Sequence, residues 1–229
     1  MYKRQYEGVE GVNITQNSGT VIVTSRDDGY NAAGGTDSSG TQNPGGWNPG
    51  GWGGQGGGNY TLTFNGGYTY VNAAGDGLDS NGSLTVNGGY VFVSQTGGGN
   101  SPIDCDSKWS YNGGVVIAGG SSDMFSESIP ASYNFVNRSA SISAGTTITA
   151  VSGSNVIGTM TFANSAAAIV ICTPESSVSV YSGGTLSGTT YFSSSSANTN
   201  MKAGYGGTIS GGTQLSSNSS SGGNNPWGF

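Results

Sequence analysis

Six of the eight Asp residues recur at one position of a short sequence repeat, and carboxylates stacked in this way could hold a metal ion. The segments GVEG, DDGYNAAG, GDGLDSNG and SPIDCDSK align with one another. Like charges directly opposite each other on neighbouring strands are destabilising. An ion between strands about 4.8 Å apart would replace this repulsion with bridging. The predicted metal ligands, on one outward face, are Glu10, Asp27, Asp28, Asn31, Asp76, Asp79, Asn81, Asp104 and Asp106.

The chemistry of this donor set favours Ca²⁺. Every predicted ligand offers oxygen, and the chain contains no His, which disfavours Zn²⁺ and Cu²⁺. Mg²⁺ demands stricter geometry and keeps more of its water. Asp-Gly and Asn-Gly pairs also form turns, and that explanation suffices for each pair taken alone. It does not explain why acids recur at the same phase of the repeat, so we expect a calcium site.

The composition predicts an all-β protein with many turns. Gly contributes 44 of 229 residues and charged residues only 8%. Gly at this density weakens helices, and no window has the apolar spacing of an amphipathic helix. The net charge of −6 argues against general nucleic-acid binding. No apolar run approaches the ~20 residues of a membrane span.

A longer repeat predicts the architecture of the first half. NSGTVIVTS, NGGYTYVNA, NGGYVFVSQ and NGGVVIAGG each begin with Asn, and an alternating strand precedes each of them. The last three begin 22 and 25 residues apart, which suits one turn of a parallel β-helix with three short strands. We therefore expect stacked columns of equivalent residues. Three inward columns are predicted: Ile14, Leu62, Leu84 and Trp109; Val21, Thr69, Val91 and Val116; and Val9, Tyr30, Leu78 and Ile103. At the corner, a ladder of stacked Asn side chains is predicted from Asn17, Asn65, Asn87 and Asn112.

Aromatic residues form a second candidate site. After the corners at Asn65 and Asn87, outward positions carry large rings, and a Gly-rich insertion at about 35–59 carries two Trp residues. These rings could stack on sugars, or they could pack within the chain or between subunits. Both alternatives stay open at this point. The residues are Trp47, Trp52, Tyr68, Tyr70, Tyr90 and Phe92.

The composition changes near residue 135, where the acidic repeat stops. Residues 1–135 are predicted to form the parallel β-helix with its insertion. Residues 136–229 read as short strands with Gly-rich turns, which predicts a small β domain or a cap on the helix end.

The sequence also resembles a known family. The segments YEGVEG, SRDDGYNAAGG, GDGLDSNGSLTVNGGYVFV and PIDCDS are similar to the right-handed parallel β-helix carbohydrate-binding domain of extracellular proteins from clostridia and related bacteria. SSVSVYSGGTLSG and GYGGTISGGT extend the similarity towards the C-terminus. The resemblance implies a pectate-lyase-like fold, bound calcium at the acidic motifs, and binding of cellulose or acidic plant polysaccharides.

We therefore expect a calcium-binding, extracellular or cell-surface carbohydrate-binding module, although no signal peptide is recognisable in the chain. One alternative is a structural subunit of an extracellular fibre or surface layer, formed by self-association. Another is a calcium-dependent polysaccharide lyase, which would need a base near the acids to abstract a proton. The only candidate bases beside the acidic stripe are Arg26 and Lys108, so we expect no enzymatic activity.

Overall fold

The computed structural model describes residues 6–34, 59–195 and 198–218, which form strands and turns. The predicted all-β class is confirmed. The first half of the chain contains short strands that follow one another in a regular order. These strands are β1 (Val9–Glu10), β2 (Asn13–Gln16), β3 (Thr20–Thr24), β4 (Tyr30–Ala32), β5 (Thr61–Phe64), β6 (Tyr68–Ala73), β7 (Leu78–Ser80), β8 (Ser83–Val86), β9 (Tyr90–Gln95), β10 (Lys108–Tyr111) and β11 (Val115–Gly120).

These strands pair in parallel, each with its equivalent in the next repeat. One sheet has the order β1-β4-β7, a second β10-β8-β5-β2, and a third contains β11-β9-β6-β3. The register is the one predicted: Ile14 pairs with Leu62, and Leu62 with Leu84. Tyr30 likewise pairs with Leu78, which forms an isolated bridge to Ile103. The interior columns are therefore confirmed.

The predicted Asn ladder is also present at the corner between the second and third sheets. Each Asn donates its side-chain amide to the Asn of the preceding repeat, with three nitrogen–oxygen distances of 2.8 Å. The corner itself requires Gly, because Gly67 and Gly89 have φ angles of +86° and +84°. A Cβ atom on Gly89 would lie 2.6 Å from the carbonyl oxygen of Gly67. The corner is thus fixed both by backbone conformation and by the closeness of the neighbouring repeat.

The second half of the chain pairs mainly in antiparallel fashion. Its strands are β12 (Phe135–Asn137), β13 (Thr147–Ser152), β14 (Asn155–Thr161), β15 (Ala168–Cys172), β16 (Ser179–Ser182), β17 (Thr185–Ser187), β18 (Thr190–Ser195), β19 (Asn198–Tyr205), β20 (Thr208–Ser210) and β21 (Thr213–Gln214). Strands β18, β19, β14, β13, β16 and β21 form one antiparallel sheet, and β17 pairs with β20. Strand β15 pairs with β11, and β12 pairs with β15. The third parallel sheet therefore continues across residue 135.

Two hydrophobic cores result from this arrangement. The first lies among the three parallel sheets and contains Leu62, Leu84 and Ile103. The second lies between the outer face of the third sheet and the antiparallel sheet, where Phe92 packs in one cluster with Ile148. The second half thus covers a face of the first half.

Replacement of Leu84 by Ala should lower the free energy of unfolding by about 2–5 kcal/mol. Leu84 is fully buried in an interior column, so its removal leaves a cavity. The matched control is Val12→Ala, since Val12 is 51% exposed, and its effect should stay within about 0.5 kcal/mol. Urea denaturation measures both. Equal effects would contradict the assignment of Leu84 to the core.

Candidate functional site: a carboxylate column and an aromatic cluster

The first parallel sheet positions the predicted calcium ligands. Glu10 pairs with Asn31, and Asn31 pairs with Asp79. Asp104 follows Ile103, and its backbone N–H donates to the carbonyl oxygen of Leu78 at 2.8 Å. The parallel register therefore brings these four residues into one row, as predicted.

A second acidic column runs just before this row. The side chain of Glu7 accepts a hydrogen bond from the backbone N–H of Asp28 at 3.1 Å. Asp28 accepts in the same way from the N–H of Asp76 at 2.7 Å, and Asp76 from that of Ser101 at 2.5 Å. Each carboxylate thus joins one repeat to the next. We call Glu7, Asp28 and Asp76 the carboxylate column.

Glu7 was missed in the sequence analysis, although the sequence carries a signal for it. An acid directly precedes Gly at Glu7–Gly8, Asp28–Gly29 and Asp76–Gly77. A Cβ on Gly29 would lie 2.4 Å from the carbonyl oxygen of Gly77, so these glycines stack closely. The acid-Gly pair marks the column.

Burial and mutual repulsion oppose ionisation of the carboxylate column. The pKa of Asp28 is raised from 3.8 to about 9, mainly by desolvation and then by the negative charges of Asp76, Glu7 and Asp79. Desolvation also raises the pKa of Asp76 to about 7, with contributions from Asp104 and Glu127. Among the described residues, the charged groups that shift these two pKa values are all acidic.

Glu127 extends the acidic region from a loop that the repeat does not contain. Partial burial and then the charge of Asp104 raise the pKa of Glu127. Burial and the charge of Asp106 likewise raise the pKa of Asp104. Buried Ser128 anchors this loop, since its hydroxyl contacts both the N–H and the carbonyl of Ile103 at 2.9 Å. No repeat signal could have located Glu127, because only the folded loop brings it to Asp104.

The predicted single outward stripe needs correction. Glu10 and Asp106 are exposed, and Asn81 is half-buried. Asn31 is instead fully buried, and its amide donates to Asp28 Oδ2 at 3.3 Å. Asp28 is buried as well, at 7% exposure.

The donor chemistry of this region suits Ca²⁺, which binds carboxylate and amide oxygens. Burial, and then repulsion among the acids, raises the pKa values of Asp28 and Asp76, and a bound cation would offset both effects. Across residues 6–34, 59–195 and 198–218, however, no group of three or more His, Cys, Asp or Glu side chains is arranged to hold a metal ion. A bound ion would therefore need main-chain carbonyls, amides, water or a ligand to complete its coordination.

The aromatic residues divide into two groups. Tyr70 and Phe92 are fully buried in the second core, and the Tyr70 hydroxyl donates to the carbonyl oxygen of Thr161 at 2.6 Å. These two rings therefore pack within the chain, because the antiparallel sheet covers them. They are not available to a sugar. Trp47 and Trp52 lie outside the described residues.

Tyr68 and Tyr90 remain half-buried at the edge of the same interface. Their rings stack with a centroid distance of 5.5 Å, and Tyr205 stacks on Tyr90 at 4.7 Å. Phe192 lies 4.8 Å from Tyr68, and the hydroxyl oxygens of Tyr68 and Tyr205 are 3.0 Å apart. We call these four rings the aromatic cluster. Tyr205 and Phe192 come from the antiparallel sheet, which the repeat could not predict.

No family model, curated protein or solved structure matches the chain. The similarity to the clostridial carbohydrate-binding domain therefore stays a prediction. Among the described residues there is no helix long and apolar enough to cross a membrane.

In buffer with a chelator, thermal stability should fall as the pH rises from about 4 to about 9. Asp28 has a pKa of about 9 when folded and an ordinary value of 3.8, so only the folded state keeps its proton over this window. Asp76 adds to the slope between 3.8 and about 7. Melting temperatures measured by circular dichroism across this range test the expectation.

Asp28→Asn should make the melting temperature less dependent on pH and higher than that of the unmodified protein at pH 8. The amide oxygen can still accept the N–H of Asp76 but carries no charge. Exposed Asp123 provides the control, and Asp123→Asn should keep the original slope. An unchanged slope in Asp28→Asn would show that Asp28 does not govern this pH dependence.

Proposed function

We propose that strands β1 to β11 form a right-handed parallel β-helix. The support is the parallel pairing of equivalent strands in three sheets at the spacing of the sequence repeat. Connections between parallel strands of one sheet are right-handed in nearly all proteins. Residues from β12 onwards would then cover one end and one side of this helix.

We propose that the protein is a calcium-binding, extracellular carbohydrate-binding module for acidic polysaccharides. The carboxylate column carries this proposal, because its buried acids need either protons or a cation. Ca²⁺ would take its few carboxylate and amide ligands from among Asp28, Asn31, Asp76, Asp79, Asp104 and Glu127. Ca²⁺ takes six to eight oxygen ligands, so an ion with few protein carboxylates keeps positions for water or for a sugar carboxylate.

The half-buried aromatic cluster supports the saccharide part of the proposal. Tyr68, Tyr90 and Tyr205 are half-buried, and their rings stack on one another. Aromatic side chains of this kind combine an apolar body with a polar tip, which suits the mixed surface of a sugar.

Calcium should raise the melting temperature at pH 8 and should have a smaller effect at pH 5. The ligands must lose their protons to bind the ion, and the raised pKa of Asp28 makes this loss harder at low pH. Thermal melts with Ca²⁺ and with EGTA measure the effect. Asp76→Asn should remove most of it, whereas Asp123→Asn should retain it.

The same conditions test carbohydrate binding on a panel of plant polysaccharides. Binding to polygalacturonate should be stronger with Ca²⁺ than with EGTA, while binding to a neutral polysaccharide should change less. If EGTA changes neither binding nor melting temperature, the calcium proposal is wrong.

We propose a binding protein rather than a lyase. Arg26 is exposed beside half-buried Asp27, a position that suits charge balance as well as proton abstraction. Lys108 begins β10. Incubation with polygalacturonate and Ca²⁺ should yield no unsaturated product. If such product forms and Arg26→Ala abolishes it, the lyase alternative replaces the binding proposal.

The open N-terminal edge of the parallel sheets favours a second candidate, a fibre or surface-layer subunit. Strands β1, β2 and β3 are edge strands within the described part of the chain, and the interior residues Val9, Ile14 and Val21 are only half-buried there. Such edges are templates for association. Size-exclusion chromatography and electron microscopy separate the two functions, because the fibre subunit would form polymers and the binding module would not.

A further inference from the structure

A two-stranded ribbon, β17 with β20, crosses the outer face of the antiparallel sheet. Leu186 of β17 pairs with Ile209 of β20. The ribbon is tied to β14 by two backbone hydrogen bonds, from Val156 N to Gly207 O at 3.0 Å and from Gly206 N to Val156 O at 2.9 Å. The face beneath it is polar, since Thr149 and Thr159 are buried and their hydroxyl oxygens lie 2.8 Å apart.

This polar face is the side of the sheet turned away from the second core. Met160 and Ala203 pair with each other and pack into that core. Side chains alternate along a strand, so Thr159 and Thr161 point to the opposite side. Thr159 pairs with Gly204 and Met160 with Ala203 in an antiparallel register. The next pair in this register places Lys202 opposite Thr161.

A cleft of about 310 Å³ lies between this face and one side of the ribbon. Hydroxyl groups, one aromatic ring and one ammonium group converge on it. Its polar and aromatic lining consists of Thr147, Thr159, Thr161, Thr185, Tyr191 and Lys202.

Tyr191 provides an accessible ring at the cleft. Its side chain is 44% exposed. Tyr191 pairs with Gly204, and a Cβ atom on Gly204 would lie 3.0 Å from Tyr191 Cδ1. The missing side chain of Gly204 therefore leaves room for the Tyr191 ring against the sheet.

Lys202 provides the charge. Its side chain is exposed, and no described carboxylate forms an ion pair with it. The hydroxyl oxygens of Thr147 and Thr161 lie 2.9 Å apart beside it and can donate to or accept from a ligand. A cation among hydroxyl groups is suited to an anionic and polyhydroxylated ligand.

We propose that this cleft binds one carboxylate-bearing sugar unit, a hexuronate, of an acidic polysaccharide. The Lys202 ammonium pairs with the sugar carboxylate, the Tyr191 ring packs on the C–H face of the sugar, and the Thr hydroxyls bond to its hydroxyl groups. This inference rests on the proposed binding of acidic polysaccharides and names a site for it. The cleft contains no acidic side chain among its lining residues, so the contact with the sugar does not pass through calcium.

The opposite side of the ribbon provides an internal comparison. A second cleft there is lined by Tyr181, Ser154 and Ile209, and by no Lys or Arg among its described lining residues. It offers a ring and hydroxyl groups without a cation. Tyr181→Ala is therefore the matched control for Tyr191→Ala.

The test is isothermal titration of the full chain with trigalacturonate and with its methyl ester, at one fixed calcium concentration. Lys202→Gln should weaken binding of trigalacturonate by about tenfold and leave binding of the uncharged ester nearly unchanged. Tyr191→Ala should weaken binding of both ligands by about tenfold, while Tyr191→Phe should retain both. The charge control Arg26→Gln and the ring control Tyr181→Ala should stay within about twofold of the unmodified protein.

The outcomes separate the two proposals. If Lys202→Gln and Tyr191→Ala bind trigalacturonate as the unmodified protein does, the cleft is not the site, and the proposed function stands with a site elsewhere. If the unmodified protein binds neither trigalacturonate nor polygalacturonate, both proposals are wrong. If Lys202→Gln weakens trigalacturonate and the ester equally, the carboxylate pairing is wrong.

Discussion

The stacking of equivalent residues in a parallel register is the constraint on which the first half of the molecule depends. Every side chain lies about one strand spacing from its counterparts in the neighbouring repeats. For Leu62 and Leu84 this places like apolar groups in contact. For Asn65 and Asn87 it forms an amide ladder with 2.8 Å bonds, since an amide can donate and accept at the same time. One geometric rule thus produces both the core and its polar corner.

The same rule makes the carboxylates costly. Glu7, Asp28 and Asp76 accept backbone N–H groups of the next repeat, so the column contributes to the alignment of the repeats. The side chains are also close enough to one another, and to Asp79 and Asp104, to oppose ionisation. A structure that keeps its acids in register must therefore offset their repulsion. Protons do so below the raised pKa values of Asp28 and Asp76, and a bound cation would do so above them.

The antiparallel sheet changes the role of the outer face of the third parallel sheet. It buries Tyr70 and Phe92 and adds Tyr205 and Phe192 to the half-buried rings of Tyr68 and Tyr90. Its own outer face then carries the ribbon and the two clefts. The ribbon and the clefts form where segments from different parts of the second half pack together. The sequence repeat ends before these segments.

The sequence by itself determined the all-β class, the parallel register, the Asn corner and the row from Glu10 to Asp104, because a repeat of about 22–25 residues fixes which positions stack. It also determined which residue types enter the carboxylate column. Only the tertiary structure decided that Asn31 is buried, that Glu127 reaches Asp104, and that Tyr191 and Lys202 share a cleft. These contacts join segments that no periodicity relates, so their formation depends on how loops and sheets pack rather than on local pattern.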